Sequence, residues 1–147
     1  MGNIPVTHLG EQPEMAMHMN EHQALDLWRR TIVRGVREDV PDLSTRQMAI
    51  LLTVYLTSAP HTVRGLANTL GVSKPAVTRA LDRLGELGLA RRKVDEKDRR
   101  SVLIQRTPGG NNFLRNYGEN IVSSSRDVTV HDQYGIDSVD SGIRLHA

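Results

Sequence analysis

The chain contains no cysteine among its 147 residues. That excludes disulfides, thiolate metal sites and cysteine-based redox sensing. Aromatic residues are also scarce: one Trp, three Tyr and one Phe. With 38% apolar residues, one compact core is feasible, and a subunit interface is expected to complete it. No apolar run approaches the roughly 20 residues needed to cross a bilayer. The first residues combine neither a charged start nor an apolar stretch of the signal-peptide kind. A cytoplasmic protein without membrane contact is therefore expected. No glycine-rich phosphate loop is present, and no serine, histidine and aspartate are joined by a nucleophile motif. An enzyme is not expected, and neither is a cofactor.

What the chain does have is a strongly uneven charge. The total is only +2. Between Val63 and Arg106, however, 11 Lys and Arg face 5 Asp and Glu. The rest of the sequence is net acidic. A basic segment in an acidic frame is the electrostatic footprint of a polyanion partner.

The same segment carries a local pattern. Leu66, Ala67 and Leu70 form an apolar face at helical spacing. Gly71 supplies a tight turn, and Val72 fills the corner. Ser73 can cap a second helix with Pro75 in its first turn. Val77, Ala80, Leu81 and Leu84 make the next buried stripe. Lys74, Pro75, Thr78, Arg79, Asp82 and Arg83 are left facing outward. Two helices joined by such a turn, over residues 63–87, make a helix-turn-helix. Its second helix is equipped to lie in a DNA major groove.

Elements on either side can be read in the same way. The first residues to Gln12 read as a flexible start. A helix is expected from Pro13 to about Glu38, with Leu25, Trp28, Ile32 and Val36 on its inner face. Ser44 and Gln47 have capping-box spacing and open another helix, whose stripe is Met48, Leu51, Leu52, Tyr55 and Leu56. Pro60 stops it, and His61 to Val63 can form a short strand. Gly88 closes the helix-turn-helix. Residues 89–106 then read as strand, charged loop and strand, which together make a wing. Thr107 and Pro108 start a last helix to about Ser125, with Phe113, Leu114, Tyr117, Ile121 and Val122 available for burial. The tail, 126–147, shows no sustained period and reads as irregular or an arm.

With these elements in order, the sequence resembles the multiple-antibiotic-resistance regulator (MarR) family. The stretch L-S-T-R-Q-M-A-I-L is similar to the family's second helix. L-A-N-T-L-G-V-S-K-P-A-V-T-R-A-L-D-R-L-G-E-L-G-L-A-R-R is similar to its reading head, and D-E-K-D-R-R-S-V-L-I-Q-R-T-P-G-G to its wing and following helix. The likeness ends near Val122, where family members continue into a second long C-terminal helix.

The resemblance implies a mostly α fold over residues 13–125. It is a winged helix-turn-helix with a two-stranded wing and flanking dimerisation helices. It also implies a homodimer on pseudo-palindromic double-stranded DNA, usually acting as a repressor. By the same likeness Ser73, Lys74, Thr78, Arg79 and Arg83 fall at the major groove or its phosphates, beside Pro75. Asp98, Arg99 and Arg100 fall at the wing tip. Arginine can bond guanine through two donors, and threonine can meet a base edge or a thymine methyl. A wing arginine suits a narrow minor groove. Asp98 is expected to brace Arg100 through a charge-assisted contact, and Arg92 to touch phosphate.

Trp28, Met48 and Tyr55 lie on elements that wall the family's usual pocket for a small-molecule effector, with plain core as the other reading; His61, beside Pro60, could contribute to that pocket or equally be an exposed turn residue. Glu14, His18 and His22 recur at i, i+4 and could share a helix face around a metal, although ordinary polar residues at a helix end have the same spacing. A winged module that binds protein, or one that binds DNA without sequence preference, is the alternative to a specific regulator.

Overall fold

The structure, a computed structural model, describes residues 19–128. Five helices and a two-stranded antiparallel sheet follow in the order α1 (Glu21–Arg37), α2 (Thr45–Leu56), α3 (Val63–Leu70), α4 (Lys74–Glu86), β1 (Ala90–Val94), β2 (Val102–Arg106) and α5 (Pro108–Arg126).

Side chains that satisfy the free N–H groups at the helix starts set most boundaries. Ser44 and Gln47 form the expected capping box on α2. Thr107 caps α5, with Pro108 in the first turn. The sequence also held two caps that were not anticipated. Asn20 and Gln23 make a capping box that starts α1 at Glu21, and Thr62 caps α3. The proposed start of the first helix at Pro13 lies outside the described residues, as do Glu14, His18 and most of the tail.

The core sits between α2, α3, α4 and the base of the sheet. It is built from Ile50, Leu51, Val54, Leu66, Val77, Leu81, Leu84, Leu89 and Ile104. The stripe expected on α2 needs correcting. Ile50 and Val54 are buried, whereas Leu56 is 75% exposed. The helix reads A-I-L-L-T-V-Y-L, apolar on nearly every side, so periodicity alone could not select the inward face.

Helix α1 also departs from expectation. Leu25, Trp28, Ile32 and Val36 form an apolar stripe, but they are 53, 55, 42 and 71% exposed. The face packed on α5 is polar instead. Buried Thr31 offers its carbonyl to the Asn120 amide at 3.1 Å, and the Asn120 carbonyl accepts from Ser124 at 3.2 Å. Arg34 adds a hydrogen bond to Ser123 at 3.1 Å. The apolar face is left without a cover among the described residues, and Val122 of α5 is likewise 52% exposed.

A small polar junction joins α5 to the rest. The Tyr55 hydroxyl accepts from the Thr107 amide at 2.8 Å and donates to the Leu89 carbonyl at 2.8 Å. The Thr107 hydroxyl donates to the Gly88 carbonyl at 2.6 Å. Gly110 fits here because it has no side chain. A Cβ there would fall within the Tyr55 hydroxyl and the Leu89 carbonyl.

Candidate DNA-binding surface

The corner between α3 and α4 forms as its residues dictate. Gly71 takes a left-handed conformation with φ of 64°, which a side chain would resist. The Val72 amide then reaches back to the Ala67 carbonyl at 3.1 Å, and half-buried Val72 packs against the core. The Ser73 hydroxyl accepts from the Ala76 amide at 3.3 Å. Ala76, Val77, Ala80, Leu81 and Leu84 of α4 are buried. Ser73, Lys74, Pro75, Thr78, Arg79, Asp82 and Arg83 are all exposed. Core and outward face thus separate cleanly along one helix. Arg83 has an exposed partner in Glu86 at 3.4 Å, a contact too loose to hold it.

Gly88, with φ of 69°, turns the chain out of α4 into the wing. β1 and β2 pair from Ala90↔Arg106 to Val94↔Val102. An isolated bridge between Thr62 and Leu103 ties the sheet to the start of α3. This is the short strand expected near His61, reduced to one residue.

The wing tip corrects one expectation. Asp98 does not hold the Arg100 guanidinium. One of its carboxylate oxygens accepts from the Arg100 backbone amide at 3.1 Å, and the other accepts from the Ser101 hydroxyl at 3.1 Å. The Ser101 amide closes the turn on the Asp98 carbonyl at 2.8 Å. Asp95 makes a similar local bond to the Lys97 amide at 2.9 Å. Both aspartates act as turn-makers, the usual task of Asp in tight loops. Arg99 and Arg100 are exposed at the tip. Lys74, Arg64, Asp98 and Arg100 line one groove, so the wing tip stands beside the start of α4.

Arg92 is not a free cation. Its Nη2 lies 2.7 Å from an Asp82 carboxylate oxygen and 2.8 Å from the Thr78 carbonyl of α4. Strand alternation explains the direction. Arg92 pairs with Ile104, and Ala90, two residues earlier, is buried. Residues two apart share a face, as do directly paired residues, so Arg92 is directed at α4. Arg91 lies on the opposite face, bonded to Gln105 at 3.1 Å.

Among the cavities lined by described residues, none brings together the four residues suggested for an effector pocket. Trp28 stands on the exposed stripe of α1. The Tyr55 hydroxyl is engaged in the junction, and its ring lies 5.7 Å from the Arg106 guanidinium. Met48 is half-buried on α2. His61 lines a cleft between α2 and α3 with Thr53, Thr57, Ser58 and Thr69, to which the other three contribute nothing. A second cavity, between the α1–α2 link and α5, is lined by Glu38, Asp39, Phe113, Asn116 and Tyr117. Burial pushes the Tyr117 phenol above its ordinary pKa. No sequence signal pointed to this cavity, which depends on the α1–α5 crossing. His22 is exposed in the first turn of α1, and no group of metal-ligating side chains gathers among the described residues. None of the described helices is long and apolar enough to cross a membrane.

Two helices around a glycine corner, followed by a two-stranded wing and closed by a long helix, define a winged helix-turn-helix. A family model described as MarR family matches residues 42–101. Over those residues the chain is similar to the MarR family. The HTH-type transcriptional regulator PecS of Dickeya dadantii is 36% identical over 88 residues, covering 58% of this chain and 53% of that protein. The chain thus spans about half the length of this curated relative. Two solved structures share the fold. The MepR–DNA complex of S. aureus has a TM-score of 0.58 at 20% identity, covering 72% of this chain and 82% of that one. The repressor CouR bound to a 23-mer duplex has a TM-score of 0.57 at 23% identity, covering 72% of each chain.

Proposed function

We propose that this protein is a transcriptional regulator that reads double-stranded DNA as a homodimer. It acts as a repressor on a pseudo-palindromic site and is released by a small-molecule effector. One observation carries the DNA reading. The apolar side of α4 is spent in the core, while Thr78, Arg79 and Arg83 stay exposed beside a wing tip carrying Arg99 and Arg100. A helix and a wing arranged so can enter a major groove and the neighbouring minor groove together. The description of PecS as a transcriptional regulator, and the DNA bound in the MepR and CouR structures, support the same reading.

The dimer is supported by the uncovered stripe on α1 and by Val122 of α5. Elements exposed on one copy can bury the same elements of another about a two-fold axis. Repression and effector release rest on likeness to the family.

Selection of duplexes from a random-sequence pool tests binding, sequence preference and half-site spacing together. Arg79→Ala is expected to weaken binding to the selected duplex by about 1–3 kcal/mol and to relax one base position. Equal losses on selected and random duplexes would show that α4 does not read bases.

A further inference from the structure

Asp82 presents a difficulty for a helix that meets DNA. It follows Thr78 by four residues, so its carboxylate stands one turn further along the same face. A carboxylate there repels the phosphate backbone. The structure places a counter-charge on it from an unexpected direction. Arg92 comes from β1, on the sheet face directed at α4, and meets Asp82 at 2.7 Å. The same Nη2 also lies 2.8 Å from the Thr78 carbonyl. One guanidinium therefore spans a carboxylate and a backbone oxygen of the same helix, from an anchored strand.

We propose that Arg92 is a positioning residue for DNA reading. It covers the Asp82 carboxylate and keys the base of the wing to α4, and it does not contact phosphate. This deepens the DNA-reading proposal above and rests on it. Arg92 and Asp82 are 38 and 53% exposed, so the pair contributes little to folding. Its worth lies in binding. Without Arg92, an uncompensated negative charge stands on the reading helix as phosphates approach. Like charges set against each other at an interface are strongly unfavourable.

A charge-neutral double substitution isolates this role. Wild type, Arg92→Ala, Asp82→Ala and the double variant are titrated against a duplex selected by the wild-type chain, across a range of salt. Arg92→Ala is expected to weaken binding about tenfold. Adding Asp82→Ala should return affinity to within about threefold of wild type, since the coupled residues are non-additive. The salt slope of the double variant should match that of wild type, because no phosphate contact has been lost. A phosphate-contacting Arg92 gives the opposite result. The double variant would then stay as weak as Arg92→Ala, and its log–log salt slope would be shallower by about one. That outcome overturns the proposal. So does a loss of thermal stability in Arg92→Ala with unchanged affinity of the folded protein. The polar, uncharged set Arg92→Gln and Asp82→Asn repeats the cycle if an alanine variant melts below the assay temperature. A wild-type chain that selects no duplex removes the DNA reading itself, whereas wild-type binding without rescue removes only the role of Arg92.

Discussion

Replacing Tyr55 by Phe removes one oxygen from the junction of α2, β1 and α5, and the structure sets the cost. The Thr107 amide loses its acceptor at 2.8 Å, and the Leu89 carbonyl loses a donor at 2.8 Å. Leu89 is 5% exposed, so water has poor access to replace that donor. A neutral hydrogen bond contributes about 1 kcal/mol net, and a stranded buried polar group costs about 1–3 kcal/mol. Tyr55→Phe should therefore destabilise by about 2–3 kcal/mol, with the ring and its packing retained. Gly110→Ala is expected to be at least as damaging, by the cost of overpacking, about 1–3 kcal/mol or more. A helical Gly→Ala change would otherwise gain up to about 1 kcal/mol. Combining the two separates the obstacles. Tyr55→Phe would relieve the clash with the hydroxyl, but the Leu89 carbonyl is backbone and remains in the way. The double variant should show no rescue. Urea unfolding at fixed protein concentration reads these effects as shifts in midpoint at constant m. A loss below about 0.5 kcal/mol for Tyr55→Phe, or stabilisation by Gly110→Ala, would refute the account of the junction, the first by the hydrogen-bond energies and the second by the steric argument.

Two further predictions concern surfaces. Trp28→Glu, on the exposed apolar stripe of α1, should leave helical content intact but convert a dimer into monomers in sedimentation at micromolar concentration; a wild-type chain that is already monomeric would refute the dimer. In the wing, Asp98→Asn keeps an acceptor for the Arg100 amide and should bind DNA at least as tightly as wild type. Asp98→Ala releases the turn and should bind more weakly, although both variants remove the same charge. Equal affinities for the two would mean that charge, not the turn, governs this loop.

The helix-turn-helix was legible because its signals are local. Gly71, Ser73 and Pro75 act on neighbouring backbone, and the stripe on α4 alternates cleanly with polar residues. The wing was legible as strand, loop and strand for the same reason. The role of Asp98 was misassigned because a charged residue beside arginines suggests an ion pair. In a tight loop, backbone amides are nearer than the guanidinium, and they take the carboxylate. On α2 the difficulty was an excess of apolar residues. On α1 the stripe itself was legible, but no pattern says whether a stripe is covered by its own chain. The polar contact of Thr31 with Asn120 joins residues 89 positions apart, and no periodicity encodes it.

Arg92 shows how a readable signal can be passed over. The strand reads A-R-R-K-V, and the pleat puts Arg92 on the same face as Ala90, which is buried. That alternation alone directs Arg92 toward α4 and Arg91 and Lys93 away from it. Counting net charge across the segment hides the distinction, because every arginine adds the same +1. Position in the pleat decides which cations remain available to an external anion and which are answered from within. The exposed basic face is accordingly smaller and more directional than the segment's charge suggests. In the DNA reading proposed above it centres on Lys74, Arg79, Arg83, Arg99 and Arg100, with Arg92 bonded to α4 behind it.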